Sequence, residues 1–207
     1  MTHVGVRPAP RPDRPRVAPV GFSRAELEEF RDRTVPDLVP DPLRLLFVGI
    51  NPGLWTAATG THFAHPGNRF YPALHRAGIV ERVIDPAAGM SEADRAHLAD
   101  RGIGLTNLVA RATVRADELS REELRLGADR LRSFVAAHRP RVVAVAGITA
   151  YRTAFATPKA QSGRQPVEMA GAEVWVVPNP SGLNAHETVA SLAEAYAAPA
   201  RAAGVLS

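Results

Sequence analysis

LRLLFVGINPGLWTAATGTHFAHPGNRF, residues 43–70, is the stretch whose reading decides the fold. Its first eight residues, Leu43 to Ile50, form a nearly continuous apolar run that ends in turn-forming residues. A strand covered on both faces has that composition, because successive side chains all meet packed layers and none alternates with water. The chain then enters a loop crowded with Gly, Pro, Asn and His. Pro52, with Gly49 and Gly53 on either side, fixes and bares the backbone there.

Working outward, RVVAVAG (141–147) reads as a second buried strand, and EVWVVPNPSGL (173–183) as a strand running into a second special loop, Pro178 to His186. GIGLTNLV (102–109) is a weaker strand, and a hairpin turn is expected at Gly171. Helical patterns lie between them. SREELRLGADRLRSFVAAHRP (120–140) is the clearest, with Ser120 and Glu123 in capping-box spacing and Leu124, Ala128, Leu131 and Val135 on one face. Further helices are expected in FSRAELEEFRDRT (22–34), from Arg69 to Gly78, in SEADRAHLADRG (91–102, with Ser91 and Asp94 spaced as a capping box), in TAYRTAFA (149–156) and in ETVASLAEAYAAPARAA (187–203). Strands alternating with helices predict an α/β fold of three layers, α/β/α, around a mainly parallel central sheet. Ligand sites in such sheets lie beyond the carboxyl ends of the strands, so the two special loops are expected to face one crevice. Residues 1–20, rich in Pro and Arg, cannot bury enough apolar surface to order themselves and are expected to be a flexible tail. Residues 21–207 are then a single domain.

Composition narrows the class. A chain of 207 residues with 45% hydrophobic content can bury a sizeable core. The net charge is only +4, but the basic side chains are almost all arginine, Lys159 being the single lysine. Arginine binds phosphate in bidentate fashion, which permits a nucleic-acid partner without requiring one. With no cysteine, disulfides, thiolate metal sites and iron–sulfur clusters are excluded. No apolar run is long enough to span a membrane and no apolar signal core opens the chain, so a cytoplasmic location is expected.

The loops also limit the chemistry. Neither GINPGLWTAATG (49–60) nor VVPNPSGLNA (176–185) holds an Asp or Glu, so a carboxylate pair for acid–base hydrolysis is missing. Amides, bare backbone and aromatic rings suit a neutral, planar ligand. Asn51 can hold and orient a water but cannot act as a base; an asparagine there also suits turn chemistry. No GxGxxG or GxxxxGK[ST] pattern supports a nucleotide cofactor, and none is expected. GxSxG is absent, which argues against Ser181 as a nucleophile. His62, His65 and His186 match no zinc spacing, so hydrogen-bonding roles and no metal are expected. Trp55 and Trp175 read as core or rim residues.

GINPGL, HFAHPGNRFY and VVPNPSGLNAH, in that order, with GIGLTNLVARATVRADELS and the REEL helix between them, resemble the mismatch-specific uracil-DNA and thymine-DNA glycosylase family of the uracil-DNA glycosylase superfamily. The resemblance covers about residues 43–198. It implies that fold and a base-excision activity on double-stranded DNA holding a mismatched or damaged pyrimidine, by a monomer associated with the nucleoid. It makes Asn51 the catalytic residue that positions the attacking water. Ile50, Gly53, Thr56, Phe63 and Asn68 would line the base site, with Phe63 stacked on the extruded base. Asn179, Pro180, Ser181, Gly182, Leu183 and Asn184 would form the wedge that enters the duplex and the loop that meets its backbone. Asn184 and Ala185 stand where many relatives carry Ser-Arg, which bears on mismatch discrimination. Thr56 and Ala57 border the place of a pyrimidine 5-substituent, so uracil and ethenocytosine are expected to be better substrates than thymine. Asn107 is either an aid to the water or a turn residue. Lacking an amine in either loop, the enzyme is expected to be monofunctional. The alternative is a catalytically inactive module of the same fold that binds damaged DNA.

Overall fold

The structure is a computed structural model that describes residues 21–207; the Pro/Arg-rich tail of residues 1–20 lies outside the described residues. Five strands form the sheet: β1 (Leu45–Gly49), β2 (Ile103–Asn107), β3 (Val142–Ala146), β4 (Gly163–Met169) and β5 (Ala172–Val177). Their spatial order is β2-β1-β3-β5-β4. The first four in that order pair in parallel, and β4 joins β5 as an antiparallel hairpin turning at Gly171. This is the expected α/β arrangement.

Burial on both faces explains the apolar runs. Every residue of β1, β2 and β3 is buried. Successive side chains point to opposite faces. Leu45, Phe47, Val142 and Ala144 therefore pack into one core with Phe70, Tyr71, Leu74, Leu98, Leu192 and Tyr196. Leu46, Val48, Val143 and Val145 pack into a second core with Ala128, Leu131, Val135, Ala150 and Tyr151. The first layer is built by α3 (Phe70–Arg76), α4 (Glu92–Asp100) and α7 (Val189–Ala202), the second by α5 (Arg121–His138) and α6 (Ile148–Ala154). Trp175 is half-buried against the first core.

α5 starts at a complete capping box between Ser120 and Glu123, as its sequence demands. α4 differs: Ser91 accepts from the Asp94 amide, but its hydroxyl also donates to the Asp94 carboxylate, and that carboxylate does not return to the Ser91 amide. Aspartate is one methylene shorter than the glutamate that closes the box elsewhere. The first helix, α1, is only Arg24–Glu28. Beyond it, residues 32–38 are drawn out as a strap along β2, with Leu38 bridging Leu105 and Arg33 accepting from the Ala112 amide. A six-residue helix, α2 (Leu54–Thr59), occupies the loop that the sequence left irregular. Its first turn has no side-chain cap, and its amphipathic pattern is too short to register.

The chain runs from β1 to β2 on one side and then returns to β3 on the other. Strand order therefore reverses at β1, and a crevice opens at the carboxyl ends of β1 and β3.

Candidate active site

Four segments meet at that crevice. They are the Gly49–Phe70 loop after β1, the Asn107–Arg115 segment after β2, the Gly147 turn after β3 and the Pro178–His186 loop after β5. The Ile50 side chain closes on Gly147, 3.3 Å from where a Cβ would stand, and Asn179 flanks the same point. Both special loops thus reach one place.

Asn51 lies just past β1. Its amide nitrogen donates to the Arg111 carbonyl (3.1 Å), the Pro52 carbonyl (3.2 Å) and the Thr113 hydroxyl (2.7 Å). The Thr113 hydroxyl spends its own proton on the Arg115 carbonyl (2.7 Å), so it can only accept from Asn51. The amide orientation is fixed by these partners, and no donor among the described residues reaches Oδ1. Main-chain bonds from Leu108 to Gly49, from Val109 to Ile50 and from Thr113 to Pro52 lace the two segments together.

Arg111 anchors the far side of this lacing. Its guanidinium pairs with Glu123 and with Asp32. That guanidinium, followed by the Ser120 amide and hydroxyl, holds the Glu123 carboxyl down at about 2.

Asn107 ends β2 directly beside Gly49. Its Oδ1 lies 2.3 Å from where a Cβ on Gly49 would stand, and the Phe63 ring edge lies 3.4 Å from the same point. Only glycine leaves that room. Gly53, by contrast, has open space around its Cβ position and an ordinary φ of −76°, so sterics do not require glycine there. Among the described residues the fully enclosed polar side-chain atoms without a partner are Arg101 Nε and Thr106 Oγ1. Asn107 Oδ1 has no donor among the described residues and is not one of those enclosed atoms, so it opens onto the crevice.

Phe63 adopts a φ of +58° and stacks on Phe70, centroids 4.0 Å apart. Thr56 is buried, and its hydroxyl accepts from the Ala64 amide (3.4 Å), tying α2 to the Phe63 segment. Asn68 braces the start of α3 by accepting from the Phe70 amide (2.9 Å). Trp55 is half-buried, its indole N–H on the Ala87 carbonyl.

The second loop is folded on itself. Asn179 Oδ1 accepts from the Ser181 amide, Asn184 Nδ2 donates to the Asn179 carbonyl, and the Leu183 amide donates to the Ser181 hydroxyl. Pro180 is buried. Gly182 presses against the Gly67 carbonyl, 2.7 Å from its Cβ position, which brings this loop against the PGNRF segment. Arg69 is the strut between them. Its backbone amide donates to the Pro180 carbonyl, and its guanidinium donates to the carbonyls of Ser181, Asn184 and Glu187. Leu183 protrudes from this frame, 81% exposed.

The three histidines singled out from sequence do not converge. His62 is buried and bonded at both ring nitrogens, His65 accepts from the Gly67 amide, and His186 is exposed. Among the described residues no group of three His, Cys, Asp or Glu side chains is placed to hold a metal, and no helix is long and apolar enough to cross a membrane.

Sequence reasoning missed Thr113 and Arg69, gave His62 a hydrogen-bonding role without its partners, and left Asn107 undecided. Arg69 sits inside a quoted motif and Asn107 at a strand exit. Nothing local marks Thr113, because its value lies in a contact across 62 residues.

The crevice thus carries a locked amide on the β1 loop and an exposed leucine on the β5 loop. The model of the uracil DNA glycosylase superfamily matches residues 36–199, most of the chain, and the protein belongs to that superfamily. The fold is also similar to the solution NMR structure of a protein from Methanosarcina acetivorans provisionally assigned as a uracil DNA glycosylase. That likeness has a TM-score of 0.57 at 18% identity, covering 83% of this chain and 98% of the other. Membership supports a hydrolase that acts on DNA.

Proposed function

We propose that the protein is a monofunctional glycosylase of the mismatch-specific type, hydrolysing the N-glycosidic bond of uracil in mispaired duplex DNA. The observation that carries this reading is the Asn51 amide, whose nitrogen is committed to three acceptors and whose Oδ1 is left to accept from water. A base in a duplex hides its glycosidic bond, so the nucleotide must first be extruded at a cost of a few kcal/mol, least for a mispair. Leu183 enters the stack and offsets part of that cost. Its exposure forgoes about 1.5–3 kcal/mol of burial in the free protein, which contact with DNA bases recovers.

The extruded pyrimidine stacks on Phe63. Its edge meets Asn107, with Oδ1 accepting from N3–H and the remaining amide hydrogen donating to O4. As the C–N bond lengthens, positive charge grows on the sugar, and the water on Asn51 Oδ1 adds to the anomeric carbon. No carboxylate stands in either loop to share that charge, so turnover is slow and depends on base ejection and on the phosphates of the DNA itself. Lys159, the single lysine, lies on the exposed turn before β4, so no lysine amine is at hand to attack the sugar.

The test uses labelled duplexes with a central G:U, A:U, G:T or G:ethenocytosine pair, treated with hot alkali to cut abasic sites. Alkali-dependent cleavage of G:U that falls at least about 100-fold in Asn51→Ala supports the reading. Strand cutting without alkali, or a borohydride-trapped adduct, contradicts the monofunctional assignment. Binding to the duplexes with no cleavage of any leaves an inactive module that recognises damage.

A further inference from the structure

We infer that His62 is a positioning residue that sets which way the Asn107 amide faces, and so makes the site accept a base with N3–H beside a C4 carbonyl and reject one with bare N3 beside an amino group. The inference rests on the proposed glycosylase function and adds to it the residue that decides between uracil and cytosine.

The lock begins at a carbonyl 26 residues away. His62 Nε2 lies 3.1 Å from the Pro36 carbonyl oxygen, and a carbonyl can only accept. Nε2 therefore carries the proton. The ring is buried, 4% exposed, and its backbone carbonyl is pinned by the Tyr71 hydroxyl at 2.9 Å. Burial favours the neutral imidazole. The two charges that reach it act in opposite senses, Asp37 from the strap and Arg95 from α4. A neutral ring protonated at Nε2 has a bare Nδ1, which accepts and cannot donate.

Nδ1 is 3.1 Å from the Asn107 amide group. Only the NH2 end of that amide can face it; the reverse would set two lone pairs against each other. Oδ1 is then forced toward Gly49 and Phe63, into the crevice. The amide keeps one N–H beyond the one given to His62. The edge presented to a ligand is thus an acceptor next to a donor. Uracil offers the matching donor at N3 and acceptor at O4. Cytosine offers an acceptor at N3 and a donor at N4, a mismatch at both positions. Sites built on such pairing reject the wrong partner by roughly 10⁴-fold, because buried groups are left unpaired. An asparagine alone could not do this, since its amide reverses by a simple rotation.

The lock reaches into the fold through Pro36. The strap of residues 32–38 is held by Leu38 on β2 and by Arg33 on Ala112. The segment after α1 therefore takes part in base selection without touching the base.

The test pairs substrate choice with coupling. Uracil or cytosine is placed opposite an abasic analogue, so that pairing strength does not enter, and single-turnover release is measured. His62→Leu removes both hydrogen bonds. It is expected to slow uracil release about 10- to 100-fold, the loss typical of an unpaired buried polar group, and to narrow the uracil:cytosine ratio. His62→Gln, which keeps a neutral donor and an acceptor, retains most of both. In an Asn107→Ala background, adding His62→Leu is expected to change nothing further, because the residue acts only through Asn107. Equal slowing in both backgrounds would reduce His62 to a packing residue and overturn the inference. Should His62→Leu fail to fold, the imidazole ¹⁵N shifts of the intact chain decide: a protonated Nδ1 at neutral pH overturns the lock, and a bare Nδ1 with protonated Nε2 upholds it. A wild type that releases no base from any duplex defeats the glycosylase reading instead, and active wild type with additive variants defeats only the role of His62.

Discussion

The two loops that meet at the crevice are built on opposite plans. In the first, taken with the end of β2 beside it, Asn51 and Asn107 are half-buried and buried, and each amide is held in one sense by partners on a neighbouring segment. In the second, the hydrogen bonds close within residues 179–187 and onto Arg69, and their effect is to leave Leu183 standing free. Groups that read hydrogen bonds need fixed orientation, and burial supplies it. A group that displaces a base needs only shape, apolar surface and a firm base beneath it. The difference separates recognition, written into the sheet, from penetration, written into a surface loop.

Substitutions can break this division, and the largest effect is expected at Gly49. A Cβ there would stand 2.3 Å from Asn107 Oδ1. Gly49→Ala should displace the amide, cost about 1–3 kcal/mol of stability and remove most uracil release; urea unfolding and single-turnover assays check both. Next comes Leu183→Ala. Losing the wedge should slow release from duplex DNA about 10-fold, the loss expected when about 1.4 kcal/mol of apolar burial against the bases is removed, and leave release from single strands and the melting temperature unchanged. Equal slowing on both substrates would show that Leu183 acts on chemistry and not on extrusion.

Arg69→Met is expected to fall between the two plans. It frees three carbonyls and should loosen the second loop, lowering duplex activity more than single-strand activity, with a modest fall in melting temperature. A fall in activity that is the same on both substrates would place Arg69 with the reading site.

The pH dependence of stability sharpens the same comparison. His62 is held below its usual value of 6.5 by burial. A depressed value means that the unfolded chain binds the proton more readily, so the stabilisation is complete above pH 6.5 and is lost as pH falls from there toward the folded value. Glu123, held at about 2 chiefly by Arg111, adds a second loss as pH drops below its ordinary 4.5. Unfolding midpoints measured against pH should show both steps, with His62→Gln removing the first and Glu123→Gln the second. The smallest effect is expected at Thr106, whose buried hydroxyl has no partner among the described residues. Thr106→Val should leave activity intact and stabilise the protein by up to about 1 kcal/mol.

Much of the fold was legible in the chain. Apolar runs marked β1 and β3 because a strand covered on both faces must be apolar throughout. Ser120 and Glu123 marked the start of α5 because capping is a bond between residues three apart. Local and periodic signals survive in a sequence. α2 and the full reach of the strap did not, since a six-residue helix with a glycine cap and an extended strap have no period to read.

The site divides along the same line. By itself the sequence set the inventory: amides without carboxylates, a glycine at the strand exit, a proline-framed loop carrying a leucine. It also carried the motifs that match the superfamily. Only the tertiary structure decided what the amides can do. Asn51 is committed by Thr113, 62 residues away, and Asn107 by His62, 45 residues away, itself fixed by Pro36. An amide carries a donor and an acceptor on a freely turning bond. Its identity gives the possible chemistry, and the partners that packing brings to it choose the one it performs.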